Sequence, residues 1–591
     1  MASSGGSGDA VREAAAAVRR VIAAIPWPGP ATADVADADA SAPDASAAEA
    51  TVSEDVAAEI RVHVDPAQPA EGYRLSIDQT AVTIVAGGKE GAFYAAQTIR
   101  QLLPDDAWRA ARAATGSAPW RIPAAEIGDA PALSWRGAHI DVARHFFTKR
   151  ELLALIDALA ALRFNRLHLH LTDDQGWRVE SRAFPALHEI GSHRPRTRIS
   201  AGAEQPPVYD EIPHGGYYTL DDLAEITAFA RDRMMTLLPE VDLPGHCAAL
   251  LAALPHLASG PSPADGSPAD GYKVSPDWGI LPFLVSPLPE ALADIKTILG
   301  EIVSATNAPY VHIGGDECKL DGWRNDARVA AYQQERGLGS AEELHAAFLR
   351  DLADALADDF GARAVVWDEG FTSTVGRAGP GLRPDTIVMA WRGMPIARAA
   401  AEAGHDVVLT PVLPTYFDYY QAREADEPLA IGGPIGIEDV AGFAPVPSAW
   451  PAKARARILG TQFQSWTEYI PDGRALEYMI FPRACALAEV AWAGVPSAWA
   501  GRPPAANDSA APPASEDAGA AGQPLPYDRP ALRARVAVHL GRLAAAGLEY
   551  RPLSGPLPWQ QGGTGPRRHR DGYLVQDVAA HLDQLAAGEQ G

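Results

Sequence analysis

Ala308-Pro309-Tyr310-Val311-His312-Ile313-Gly314-Gly315-Asp316-Glu317 is the stretch on which the fold turns. Its first half is uncharged and holds β-branched and aromatic residues, so it reads as a buried strand. Two glycines at its end let the backbone turn or let another group approach closely. Two adjacent acids then stand at the edge of a core, where a carboxylate is costly unless it is paired or engaged in chemistry. An isolated run of this kind also fits a plain surface turn, and the surrounding chain decides between the two.

Outward from this stretch, from about Trp135 on, strand-like and helix-like segments alternate. Strand candidates are Gly137–Val142, Arg166–Leu171, Met235–Glu240, Tyr310–Gly314, Ala362–Trp367, Thr386–Trp391, Asp406–Thr410 and Ile458–Phe463. Helix candidates lie between them at Lys149–Leu162, Leu220–Arg233, Leu288–Ser304, Ala341–Ala357 and Pro395–Ala403, and Arg474–Trp492 follows the last strand. Eight strands with intervening helices are the pattern of a (β/α)8 barrel. A doubly wound sheet would place a glycine-rich phosphate loop after its first strand, and none stands there. The expected fold class is therefore α/β, with a TIM barrel over residues 128–500.

In front of the barrel, residues 1–127 read as a small α+β domain. Ile60–Val64, Tyr73–Ile77 and Ala81–Val85 alternate as half-buried strands, and a helix follows over Gly91–Leu103. An Ala/Asp/Pro-rich stretch at about 28–50 reads as a flexible insert. Residues 501–528 have the composition of a disordered linker. Residues 529–591 read as a helical segment and tail, with a helix over Pro530–Gly547 bounded by proline and glycine.

The chain has 591 residues, 47% of them hydrophobic, with 14 tryptophans, enough for a large core. A formal charge of −25 argues against nucleic acid and anionic membranes as partners, because both recruit basic surfaces. Cys247, Cys318 and Cys485 are too few and too scattered for a disulfide framework, and no CxxC spacing points to zinc. Cys247 and Cys318 are expected as two buried thiols. The apolar segment after the N-terminus is broken by Arg12, Arg19 and Arg20, so it does not resemble a secretory signal, and a cytoplasmic location is expected.

Barrel chemistry sits at the C-terminal strand ends. Those ends deliver Asp141 with Arg144 and His145; Asp173, Asp174, Gln175 and Trp177; Glu240, Asp242 and His246; His312, Asp316 and Glu317; Trp367, Asp368 and Glu369; Trp391; Tyr416 and Asp418; and Trp466 and Glu468. Aromatic rings pack on the C–H faces of sugars while acids, arginine and histidine bond hydroxyls, so this set points to carbohydrate. The runs Gly137 to Phe147 (GAHIDVARHFF), His168 to Arg178 (HLHLTDDQGWR), Pro239 to His246 (PEVDLPGH), His312 to Glu317 (HIGGDE) and Ser465 to Tyr469 (SWTEY) carry a resemblance. In order, over about residues 60–555, they resemble family 20 glycoside hydrolases, the β-N-acetylhexosaminidases.

The resemblance implies an exo-acting, retaining enzyme that removes terminal β-linked GlcNAc or GalNAc from glycans or chitooligosaccharides without a cofactor or metal. Two adjacent carboxylates do not form the separated acid–nucleophile pair, about 5–5.5 Å apart, of most retaining glycosidases. By the resemblance, the substrate's own 2-acetamido oxygen is the nucleophile and an oxazolinium ion the intermediate. Glu317 is then the general acid and base, and Asp316 orients the acetamido group. Asp242 and His246 are expected as a pair behind Glu317. Arg144 and Glu468 are expected on sugar hydroxyls, with Asp173 in the ion-pair network around Arg144. Trp367, Trp391 and Trp466 wall the acetamido methyl, Tyr416 donates to the acetamido oxygen, and Asp418 bonds a hydroxyl. One departure stands out: Ile431 to Pro447 lacks the tryptophan that some members place at the outer edge of the site, and offers only Phe443.

Two other readings have a basis in the residues. His168 and His170 form an HxH pair that could ligate zinc in a metal-dependent barrel hydrolase. Such a site also wants an aspartate after the last strand, where Trp466 and Glu468 stand instead, so both histidines are expected to bond within the barrel. A non-catalytic sugar-binding protein would keep the tryptophans but have no need of the intact Asp316–Glu317 pair.

Overall fold

A computed structural model describes residues 6–25, 34–35, 50–53, 59–109, 120–201, 206–259, 271–377, 379, 381–423, 426–494 and 529–561. The segments read as a linker (501–528) and as the far tail lie outside the described residues, as does most of the stretch read as an insert. Within that insert, residues 34–35 form a short strand paired antiparallel with 52–53.

Eight parallel strands close into a barrel. They are β1 (Trp135–Asp141), β2 (Arg166–His170), β3 (Thr236–Leu243), β4 (Tyr310–Gly314), β5 (Arg363–Trp367), β6 (Ile387–Ala390), β7 (Val407–Leu409) and β8 (Ile458–Ser465). All eight coincide with the expected strands to within a few residues. The longer helices from the barrel onward include α1 (Lys149–Ala161), α2 (Leu220–Arg231), α3 (Pro289–Thr306), α4 (Ala341–Phe360), α5 (Met394–Ala403), α6 (Gly473–Ile480), α7 (Arg483–Ala493) and α8 (Arg529–Ala546). Capping boxes at Thr148–Glu151 and Thr219–Asp222 start α1 and α2 by satisfying free backbone N–H groups. The single helix expected over Arg474–Trp492 is two helices, because Pro482 has no N–H to donate and interrupts the ladder.

Inside the barrel the period-2 alternation of the strands builds layers. Trp135, Leu238, Val365, Ile387, Met389 and Val408 fill the lower interior with Trp367 above them. Register then places Asp141 beside His170, His170 beside Glu240, and Glu240 beside His312. The upper interior is thus polar although fully enclosed, which is the first structural sign of a site.

The N-terminal unit is a six-stranded sheet of residues 34–35, 50–53, 59–64, 81–86, 73–77 and 125–129, in that spatial order. The helices Gly6–Ala23 and Lys89–Leu102 share its core. The first helix, the strands at 34–35 and 50–53, and the last strand were not anticipated from the sequence. Among the described residues, no helix is long and apolar enough to cross a membrane.

Candidate active site

The residues expected at the eight strand ends lie around one mouth of the closed barrel. At the β1 end, Asp141 accepts the N–H groups of Ala143 (2.8 Å), Arg144 (3.0 Å) and Thr467 (3.0 Å), which fixes the turn carrying Arg144. The Arg144 guanidinium then meets Asp173 at 2.8 Å and Asp141 at 3.3 Å, and lies 5.0 Å from the centre of the Trp466 ring. Its Nε donates to Gln175 at 3.1 Å. The expected ion pair with Asp173 is thus in place.

The backbone around Asp316–Glu317 explains the preceding glycines. Gly314 lies at φ +68°, and a Cβ there would sit 1.7 Å from Asp242 Oδ1. Only glycine lets β4 turn so tightly against the β3 carboxylate. Glu317 (φ +51°) and His246 (φ +47°) both hold left-handed backbone conformations, which cost non-glycine residues free energy and recur at functional sites. Of the two acids Glu317 is the more open, its side chain 28% exposed against 13% for Asp316.

His246 is the hinge of the site. Its Nε2 lies 3.4 Å from Glu317 Oε2 and 3.6 Å from Asp316 Oδ2. Its Nδ1 faces Asp173 at 3.4 Å and Asp174 at 3.6 Å. The ion-pair partners of Nδ1 are thus Asp173 and Asp174, while Asp242, expected as the partner of His246, has its carboxylate within 4.8 Å of both His246 and Asp316, and its Oδ1 has no hydrogen-bond partner. With a carboxylate at both ring nitrogens, both must carry protons for the contacts to be attractive, which makes the ring an imidazolium. Burial opposes that charge, but Asp173, Asp174 and Glu317 outweigh it and raise the pKa well above the usual imidazole value. Burial, with Glu317 and Glu240 adding and His246 opposing, raises Asp316 to about 6. Burial, with Asp316 adding, also pushes Asp242 well above the carboxylate range.

Beneath lies a hub to which the sequence reading gave no role. Fully buried Glu240 bonds His170 Nδ1 (2.6 Å) and accepts from Trp367 Nε1 (2.9 Å), with His312 Nδ1 at 2.9 Å and His168 Nε2 at 3.0 Å, while His312 Nδ1 itself accepts the Gly314 N–H at 3.1 Å. His170 Nε2 reaches on to Asp173 at 2.8 Å. A continuous chain of alternating carboxyl groups and imidazoles thus runs from Glu240 through His170, Asp173 and His246 to Glu317. Its signal was available: Glu240 and Asp242 are two apart on β3 and so face the same side. The groups His139/His168/Glu240 and His170/Glu240/Asp242 have ligand atoms close enough to hold a cation. In this structure both histidines of the HxH pair lie against the Glu240 carboxylate inside the barrel, His168 Nε2 at 3.0 Å and His170 Nδ1 at 2.6 Å.

The aromatic set assembles opposite the acids. Trp367 lies 5.9 Å from Trp466 between ring centroids, Tyr416 lies 6.4 Å from Trp466, and Trp391 lies nearly parallel to Tyr416 at 6.4 Å. Trp367 is 1% exposed and forms the floor rather than a side wall. Burial, with Asp418 adding and the Trp466 indole opposing, raises the Tyr416 hydroxyl well above its usual range. An indole N–H can only donate, so the tyrosine O–H remains free to donate elsewhere. Asp418 and Glu468 complete the rim: burial raises both carboxyls, with each other's charge adding for Asp418 and Arg144 opposing for Glu468.

A family model described as glycosyl hydrolase family 20, catalytic domain, matches residues 133–495, and one described as domain 2 of the same family matches residues 13–130. A β-hexosaminidase of Porphyromonas gingivalis is 34% identical over 437 residues, covering 73% of this chain and 52% of that protein. This chain therefore spans about half the length of that relative. A β-hexosaminidase of Vibrio furnissii is 31% identical over 438 residues, covering 73% of this chain and 67% of that protein. The solved structure of a family 20 exo β-N-acetylglucosaminidase from Vibrio harveyi, in complex with N-acetylglucosamine, is similar with a TM-score of 0.66 at 30% identity, over 83% of this chain and 69% of that one.

Proposed function

The chain belongs to glycosyl hydrolase family 20, and from that premise we propose that it is an exo-acting, retaining β-N-acetylhexosaminidase using its substrate's acetamido group as nucleophile. The observation that carries the reading is the Asp316–Glu317 pair held by one imidazolium, His246, opposite an aromatic enclosure. A terminal 2-acetamido sugar fits both halves: its ring lies among Arg144, Asp418 and Glu468, and its acetamido methyl between Trp391, Trp466 and the Trp367 floor.

In this mechanism Glu317 gives its proton to the glycosidic oxygen as the bond to C1 breaks. The acetamido carbonyl oxygen attacks C1 from the opposite face and forms the oxazolinium ring. Asp316, as an anion, accepts the acetamido N–H and offsets the positive charge that develops there, while Tyr416 donates to the attacking oxygen. Water then attacks C1 with Glu317 taking its proton, and β-configuration is retained. A protein nucleophile has little support: Asp242, Asp418 and Glu468 are all pushed by burial toward the protonated, non-nucleophilic form.

Chitobiose hydrolysis tests the assignment. Glu317→Gln is expected to lower kcat by about 10²–10⁴-fold, the usual contribution of a general acid, while binding is retained. Unchanged turnover would remove Glu317 from the role. A thiazoline analogue of the bicyclic intermediate should inhibit tightly, and a p-nitrophenyl glucoside without the acetamido group should barely react. Equal cleavage of the plain glucoside and its 2-acetamido counterpart would reject the substrate-assisted step. Full activity in EDTA is expected, and loss of activity restored by a divalent cation would favour the metal reading instead.

A further inference from the structure

Glu369 is an acid at the site to which the mechanism gives no task. It follows Trp367 and Asp368 directly past the β5 end, and its side chain is 17% exposed. Its Oε2 accepts the indole N–H of Trp391 at 2.9 Å, and its other oxygen lies 3.7 Å from Arg392 Nε. Its neighbour Asp368 does a different job. Asp368 Oδ2 accepts the backbone N–H groups of Trp391 and Arg392, both at 3.0 Å, and its Oδ1 takes the Arg392 guanidinium. Asp368 thus fixes the backbone of the β6 end, and Glu369 fixes where the Trp391 ring points.

That ring faces Tyr416 at 6.4 Å with 29° between the planes. It is only partly buried, so packing alone does not hold its rotamer. A tipped indole would change the width of the slot between the two rings.

We infer that Glu369 is a positioning residue that sets the acyl-group selectivity of the enzyme, by clamping Trp391 as the wall against which the 2-acylamino group of the sugar must fit. The inference rests on the function proposed above. The clamp needs an acceptor and not a charge. Burial, with Asp368 and Asp316 adding and Arg392 opposing, raises the Glu369 carboxyl well above its usual range. Either form of the carboxyl offers lone pairs to the indole, and a glutamine amide of the same shape supplies the same acceptor.

The test compares kcat and KM for p-nitrophenyl β-glucosaminides bearing 2-acetyl, 2-propionyl and 2-butyryl amides. One methylene in a fitted apolar pocket changes kcat/KM about 10–200-fold, so the wild type should prefer acetyl to propionyl by a factor in that range. Glu369→Ala is expected to shrink the preference about tenfold, lowering the acetyl rate while sparing or raising the propionyl rate. Glu369→Gln should restore the wild-type ratio. Trp391→Phe keeps a ring but removes the donor, so it should relax the ratio as Glu369→Ala does, and adding Glu369→Gln to it should change nothing further. This arm stands even if Glu369→Ala fails to fold. Variants that lower all three rates by one common factor would overturn the inference alone. A wild type inert toward the acetyl substrate would overturn the proposed function and this inference with it.

Discussion

At the Asp316 carboxyl, burial lifts the pKa from 3.8 to about 6, with Glu317 and Glu240 adding to the shift and His246 opposing it. The folded-state value lies above the unfolded one, so the proton favours folding. That contribution is intact below about pH 4 and is lost as pH rises through about 6. The difference in pKa corresponds to about 3 kcal/mol. Asp316→Asn should therefore be more stable than the wild type above pH 6, by up to about 3 kcal/mol, and the advantage should fade toward pH 4. Urea denaturation at pH 4 and pH 7.5 measures it, and an equal difference at both would contradict the account. The same substitution removes the anion that faces the developing charge and should cost about 10²–10³-fold in kcat. In the wild type, kcat/KM should fall on the acid side as pH drops through about 6, where Asp316 takes up its proton. The carboxyl is thus held where it is costly for the fold and useful for the reaction.

Among the elements, the loop after β7 carries Tyr416 and Asp418 and is held from behind. Fully buried Arg483, at the start of α7, donates to the carbonyls of Tyr419 (2.9 Å), Ile435 (3.2 Å) and Phe417. Arg551, just past α8, donates to Glu427 at 2.6 Å, and the Tyr478 hydroxyl of α6 donates to the same carboxylate at 2.7 Å. With Glu427 only 1% exposed, Arg551→Met leaves a buried charge without its cation and should cost about 3–5 kcal/mol. Adding Glu427→Gln should recover most of that loss, a coupling that a double-mutant cycle in urea reads directly. If the double variant is no better than the single one, Arg551 acts by packing alone. No sequence pattern announced this strap, since Arg551 and Glu427 are 124 positions apart in the chain. The barrel strands were legible because each is a short apolar run with acids or aromatics at its end. The helix Gly6–Ala23 was missed because Arg12, Arg19 and Arg20 were read only as breaks in an apolar run. Buried Val11, Ala14, Ala15, Val18, Val21 and Ile22 instead recur at helical spacing, with Arg12 and Arg20 on the outer face. The Glu240 hub was missed for a different reason: its histidines come from β2 and β4, and only the pairing of both strands with β3 brings them to one carboxylate.

Across the whole molecule, the N-terminal unit and the barrel meet at another paired charge, far from the site. Arg136, near the start of β1 and 1% exposed, donates to both oxygens of Glu71 (2.8 and 3.1 Å) and to the Tyr94 hydroxyl (2.8 Å). Asn165, at the start of β2, donates to the same carboxylate at 3.3 Å, and Tyr94 packs edge-on against Trp492 of α7 at 5.2 Å. Burial alone would raise the Glu71 pKa, but the Arg136 contacts outweigh it and lower the value. The lock therefore contributes above the unfolded carboxylate pKa and is lost as pH falls through the lower folded one. Glu71→Gln leaves the buried guanidinium without its counter-charge and should cost about 3 kcal/mol or more at pH 7. Arg136 and Asp141 stand at opposite ends of β1, about 16 Å apart at the rise of a strand. Turnover at 25 °C should accordingly stay near wild type while the midpoint of thermal unfolding falls. Calorimetry and a p-nitrophenyl assay on the same preparation separate the outcomes. A lower midpoint with turnover intact assigns Glu71 to holding the two units together, whereas a parallel loss of both would mean that the N-terminal unit helps shape the barrel mouth.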